Sequence, residues 1–159
     1  MRRVLSDVNE GALEGLAADL GSEGAEIFCK VVDVSEYQQV EALAEYAYAQ
    51  FGQVDLLFNN AGVLISGFSW QRSLEDWQWI MGVNFWGVLH GIKAFVPRML
   101  AQQSEGHIVN TASIAGLLAS PLMGPYTVGK QAVVALAETL HYELASIDSK
   151  LSTSVLCPG

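Results

Sequence analysis

Along the chain, short runs rich in β-branched residues alternate with longer stretches in which apolar residues return every three or four positions, the pattern of βαβ units and a parallel sheet. RVLSD, from Arg3 to Asp7, reads as a strand; Leu13, Leu16 and Leu20 then recur at helical spacing until Gly21 closes that helix. EIFCKVVDV is a second strand, and Ser35 to Gln38 has the spacing of a capping box that opens a helix running to about Phe51. VDLLFNN is the next strand. After the loop AGVLISGF, Ser73 to Asp76 again has capping-box spacing, and an apolar, tryptophan-rich helical region runs towards Gln103 with Pro97 expected to bend it. HIVNTAS is a strand, IAGLLASPLMG a loop, PYTVGKQAVVALAETLHYELAS a helix with proline in its first turn, and LSTSVLCPG a last strand.

Five strands alternating with helices predict an α/β fold with an open, doubly wound parallel sheet, in a single domain over residues 1–159. In such sheets a ligand lies beyond the carboxyl ends of the strands. Asp7, Asp33, Asn59 to Gly62, Thr111 to Ser113 and Pro158 with Gly159 each end a predicted strand, so the pattern itself gathers them at one shared site.

Composition narrows the partners. Half of the 159 residues are apolar, and a net charge of −9 argues against a phosphate backbone as ligand, leaving a small molecule as the expected partner. The two cysteines, Cys29 and Cys157, read as buried thiols in a reducing, cytoplasmic compartment. MRRVLSDVNE lacks the apolar core of a secretory signal, and no apolar stretch is long enough to span a membrane. His90, His107 and His141 have no metal-ligand spacing; no metal site is expected, and packing or surface roles are assigned to them.

YTVGK raises the question of chemistry. Tyr126 and Lys130 are four residues apart and share one face of a helix, and a nearby ammonium lowers the pKa of a phenol, which is about 10 when free. Ser113 has the hydroxyl needed to stabilise a developing alkoxide. Taken as a pair alone, Tyr126 and Lys130 read better as two polar side chains snorkelling at a helix surface, with Ser113 merely ending a strand. GPYTVGKQ also fits the phosphate-loop pattern through Gly124, Gly129 and Lys130, but Gln131 stands where that loop needs Ser or Thr, and no strand directly precedes it.

The ordered set of Asn59 to Gly62 after a central strand, Asn84 in a helix, Ser113 after the next strand, Tyr126 with Lys130, and Pro158 with Gly159 resembles the short-chain dehydrogenase/reductase family over essentially the whole chain. The resemblance implies a Rossmann-like fold and hydride transfer between an alcohol or ketone and NAD or NADP. It implies that Tyr126 exchanges a proton with the substrate oxygen, Lys130 assists it and binds the nicotinamide ribose, Ser113 positions the substrate, and Asn84 holds a water linked to Lys130. Asp33 and Val34 would flank the adenine, while Asn60, Ala61 and Gly62, with Pro158 and Gly159, would border the cofactor. Asp7, ending what corresponds to the family's second strand, would accept from the ribose 2′-hydroxyl and favour NAD; its alternative role is to cap the next helix.

The family begins with a strand and a glycine-rich phosphate turn. Gly11, Gly15 and Ala17 mimic that turn, but they lie too close to Asn59 and within an amphipathic helix. The expectation is therefore a fold lacking the family's first strand and helix and its C-terminal part, in which RVLSD either pairs with VDLLF or leaves a slot beside it. Trp77, Trp79, Phe85 and Trp86 are core or helix-to-helix interface, and the resemblance implies a homo-dimer or homo-tetramer. The rival expectation is a catalytically incomplete fragment that acts only in folding or oligomerisation.

Overall fold

Apolar faces of the helices and of the strands together form the centre of the architecture, Val40, Ala44, Ala94 and Met99 packing with Ile108 and Leu151. A computed structural model describes residues 2–22 and 24–159; Met1 and Glu23 of the expected domain lie outside them. The chain runs β1 (Arg3–Asp7), α1 (Glu10–Ser22), β2 (Ile27–Val31), α2 (Tyr37–Phe51), β3 (Leu56–Asn59), α3 (Leu74–Met81), a π turn (Gly82–Trp86), α4 (Gly87–Ala101), β4 (Gly106–Thr111), a 3-10 turn (Ile114–Gly116), α5 (Gly124–Ser146) and β5 (Leu151–Leu156). All the strand pairs are parallel, and the fold is the expected α/β, Rossmann-like class.

The strands form two sheets, β1–β2 and β3–β4–β5. β1 and β3 share no ladder, and among the described residues no strand lies between them. Direct pairing of RVLSD with VDLLF is therefore not the form adopted. β4 is the middle strand of its sheet, which explains why Ile108, Val109 and Asn110 are all buried. The two sheets are joined through a shared core: Val32, Val40, Ala44 and Ala47 from the first half pack with Ala94, Phe95, Met99, Ile108, Leu140 and Leu151 from the second. At roughly 1.5–3 kcal/mol for each large apolar side chain fully buried, this cluster is the main cohesion between the halves.

Several local expectations hold and others are corrected. Ser73 and Asp76 form a full capping box at α3, each side chain accepting from the other's backbone N–H. Ser35 does not cap α2. Its hydroxyl donates to Asp33 Oδ1 at 2.7 Å, which turns it away from the helix, and α2 starts after Glu36 with no side-chain cap. Gly21 lies inside α1, which runs on to Ser22. Gly52, not predicted as a cap, closes α2 at φ 75°, a left-handed conformation natural to glycine, and donates to the Tyr48 carbonyl. The long helical region is interrupted at Gly82–Trp86, and α4 continues through Pro97. Cys29 and Cys157 are free thiols, partly rather than fully buried.

Candidate active site

At the carboxyl end of the β3–β4–β5 sheet, Asn60, Gly62, Val63, Leu64, Thr111, Ala112, Ser113, Tyr126, Lys130, Pro158 and Gly159 line one cavity of about 310 Å³. The strands deliver these residues together because β3, β4 and β5 are parallel and in register, Asn59 opposite Asn110 and Thr111 opposite Leu156. α5 begins at those strand ends, where its first turns bring in Tyr126 and Lys130.

Lys130 is the most constrained group. It is only 3% exposed, and its Nζ donates to the Thr111 carbonyl at 2.8 Å. Burial lowers its pKa below the usual lysine value. The ammonium lies 5.7 Å from the centroid of the Tyr126 ring, so the helical spacing seen in the sequence becomes a real juxtaposition. Gly62 faces the same nitrogen: a Cβ there would stand 3.3 Å from Lys130 Nζ and 3.5 Å from Asn84 Oδ1. Any larger residue would crowd the polar floor of the cavity.

Ser113 occupies the start of the 3-10 turn. Its Oγ accepts from the Ala115 N–H at 3.2 Å and donates weakly to the Pro158 carbonyl at 3.5 Å. Thr111 Oγ1 donates to Asn60 Oδ1 at 3.1 Å, tying the ends of β3 and β4 together across the cavity.

Asn84 sits behind the cavity rather than in its wall. It is fully buried in the π turn, accepts the Val63 N–H at 2.8 Å and donates to the Val63 carbonyl at 2.9 Å. A π turn inserts an extra residue into the helical ladder, and such turns recur at functional sites. Here it closes with the Gly87 N–H on the Gly82 carbonyl. Ala61 lies between two residues that border the cavity but is not itself among its lining.

Three expected residues stand apart from the cavity. Asp7 is exposed at the end of β1, where its Oδ1 accepts the Asn9 N–H at 2.9 Å. Asn9, not Asp7, caps α1, by accepting the Ala12 N–H at 3.0 Å. Asp33 and Val34 follow β2; Asp33 Oδ1 accepts both the N–H and the hydroxyl of Ser35, and the Val34 carbonyl meets His90 Nδ1 at 2.8 Å. Among the described residues, no group of three metal-ligating side chains is close enough to hold an ion, and no helix is long and apolar enough to cross a membrane.

The phosphate-loop reading fails on geometry. Gly124 to Lys130 is helical throughout, Gly129 packs where a Cβ would meet Asn84 at 3.4 Å, and the lysine points to a backbone carbonyl. Neither the Thr111 carbonyl as the partner of Lys130 nor Val63 as the partner of Asn84 is legible in the sequence. Both contacts use backbone atoms, which carry no side-chain signature, although Thr111 already stood among the strand ends.

Comparison with known proteins gives one consistent result. The family model for short chain dehydrogenases matches residues 1–159. A crystal structure of a short chain dehydrogenase/reductase from Burkholderia phymatum in complex with NAD superposes with a TM-score of 0.98 at 51% identity, covering 99% of this chain and 56% of that one. A CLA biosynthesis dehydrogenase/reductase from Lactiplantibacillus plantarum is 35% identical over 159 residues, 100% of this chain and 56% of its own. An alcohol dehydrogenase from Thermococcus sibiricus, complexed with 5-hydroxy-NADP, has a TM-score of 0.90 at 29% identity, over 98% of this chain and 64% of that one. The chain thus spans a little over half the length of the first two relatives.

Proposed function

The chain belongs to the short-chain dehydrogenase family, and from that premise we propose that it serves an NAD- or NADP-dependent oxidoreductase interconverting an alcohol and a ketone. The observation that carries this reading is the cavity itself, where Tyr126, Ser113 and the buried Lys130 ammonium converge beside a glycine too small to obstruct them.

The residues present suit the nicotinamide end of such a cofactor. An ammonium carries three N–H donors, of which Thr111 takes one, and the Gly62 backbone is open to close approach. When bound, the cofactor supplies or accepts the hydride. Lys130 would donate to the ribose hydroxyls, and Pro158 and Gly159, with Asn60 and Gly62, would border the ring.

Tyr126 Oη would exchange the proton with the substrate oxygen, giving it to a carbonyl being reduced or taking it from an alcohol being oxidised. The Lys130 ammonium is close enough to stabilise the phenolate that this exchange leaves. Ser113 Oγ would donate to the substrate oxygen as negative charge develops there. Asn84, by holding Val63 at both backbone groups, would keep the cavity wall in place and couple Lys130 to a bound water. Asp33 and Val34 would flank the adenine. Asp7, exposed at the end of β1, would accept from the adenosine ribose and disfavour a 2′-phosphate. Replacing Asp7 with alanine tests the choice between cofactors. The ratio of NADH to NADPH turnover is expected to fall about tenfold, the scale of one charged hydrogen bond; an unchanged ratio overturns the preference for NAD.

The half-exposed Trp79 and Trp86 favour a second role in assembly between subunits, compatible with the first, as a homo-dimer or homo-tetramer. A protein that assembles but never oxidises NADH with any ketone would leave assembly as its only role.

A further inference from the structure

The loop after β2 turns on itself. The Asp33 N–H donates to Gln39 Oε1 at 2.8 Å, the Glu36 N–H donates to the Asp33 carbonyl at 3.1 Å, and both Ser35 donors go to Asp33 Oδ1. These bonds shape residues 33–36 but are confined to the loop and the start of its own helix, so they do not fix where the loop stands relative to the cavity.

That placement comes from α4. His90 Nδ1 lies 2.8 Å from the Val34 carbonyl. A carbonyl only accepts, so Nδ1 carries the proton and donates. The imidazole packs near two aromatic rings, Tyr37 of α2 at 5.5 Å and Trp86 of the π turn at 6.2 Å between centroids. One turn earlier, Gly87 lets the helix touch the same residue, since a Cβ there would stand 2.7 Å from Val34 Cγ2; at Gly82 a Cβ would lie 3.4 Å from that of Ser35. Three successive positions on one rod, Gly82, Gly87 and His90, therefore seat the loop. The same rod carries Asn84, which holds Val63 in the cavity wall.

We infer that His90 is a positioning residue for dinucleotide binding: through its Nδ1–H bond to the Val34 carbonyl it sets the Asp33–Val34 loop at a fixed distance from the cavity holding Tyr126 and Lys130. The inference rests on the cofactor reading above, in which Asp33 and Val34 meet the adenine. It assigns no contact between His90 and the cofactor. Removing the bond loosens the adenosine half of the site and leaves the reacting end untouched.

The test compares NADH with reduced nicotinamide mononucleotide, which has no adenosine, in the unaltered protein, His90→Phe and His90→Asn. The phenylalanine keeps a ring near those two without the donor; the asparagine keeps a donor near Nδ1. His90→Phe is expected to raise KM and Kd for NADH about fivefold to tenfold, the scale of one lost hydrogen bond, with kcat and mononucleotide binding unchanged. His90→Asn should recover most of that loss. If His90→Phe does not fold, His90→Leu takes its place in the comparison. Equal weakening toward both nucleotides, or no weakening of NADH, overturns the proposal while the cofactor reading stands. Failure of the unaltered protein to take NADH overturns the cofactor reading and the proposal with it.

Discussion

Replacing Asn84 with alanine should destabilise the protein through Val63 more than through the space left behind. The amide of Asn84 makes two backbone bonds, at 2.8 and 2.9 Å, and its side chain is fully buried. Each bond is worth about 1 kcal/mol net, and a buried polar group left without a partner costs about 1–3 kcal/mol. Val63 is only half-buried and lines the cavity, so water reaches it and offsets part of that cost. Allowing for this, the expected loss is about 2–4 kcal/mol, or roughly 5–15 °C in Tm for a domain of this size. Urea unfolding followed by far-ultraviolet circular dichroism gives the midpoint and the slope, and the slope should not change. Asn84→Leu separates the causes because it refills the volume without restoring the bonds. Both variants should lose comparable stability. A loss below about 0.5 kcal/mol for alanine, the size of an ordinary surface substitution, or full recovery with leucine, would refute the reasoning.

Lys130→Met removes a buried ammonium whose pKa is lowered by desolvation. Below the lowered pKa both the folded and unfolded forms carry the proton and the burial penalty is fully present; as pH rises from there to 10.5 the folded form releases its proton first, so the penalty is relieved. Stability of the unaltered protein should therefore rise relative to Lys130→Met across that window, which urea midpoints at neutral pH and at intervals up to 10.5 will show; a parallel pair of curves contradicts it. Gly124→Ala should cost about 1–3 kcal/mol by overpacking, because the new Cβ would fall on the Ser69 hydroxyl and stand 3.1 Å from the Ser69 Cβ. Since Tyr126 lies two residues further on, kcat should fall about tenfold to a hundredfold. The double variant with Ser69→Gly should regain both, and no recovery would contradict the contact.

How legible these features are depends on where their cause lies. The strands, the Ser73 capping box and the pairing of Tyr126 with Lys130 follow from periodicity or fixed spacing, which are local. Ser35 has the right spacing for a cap, yet Asp33, two residues earlier, competes successfully for its hydroxyl. The π turn at Gly82–Trp86 has no periodic signature. Glycines at 82 and 87 let that stretch press on Ser35 and Val34, a tertiary cause that no window of sequence displays. His90 reads in sequence as a packing or surface residue, and its contact with the Val34 carbonyl spans 56 positions. The separation of β1–β2 from β3–β4–β5 is one of two alternatives the sequence allows, and only the placement of the strands decides between them.

Stereospecific transfer of deuterium from deuterated NADH or NADPH to a ketone, followed by mass spectrometry in the unaltered protein and in Tyr126→Phe, tests the central claim most directly. Deuterium should appear on the carbinol carbon with the unaltered protein, and the rate should fall by about 10²–10⁴ when the phenol is removed, the usual contribution of a positioned acid–base group. Transfer that proceeds equally well in Tyr126→Phe, or no transfer to any ketone from either cofactor while both are bound, would contradict it.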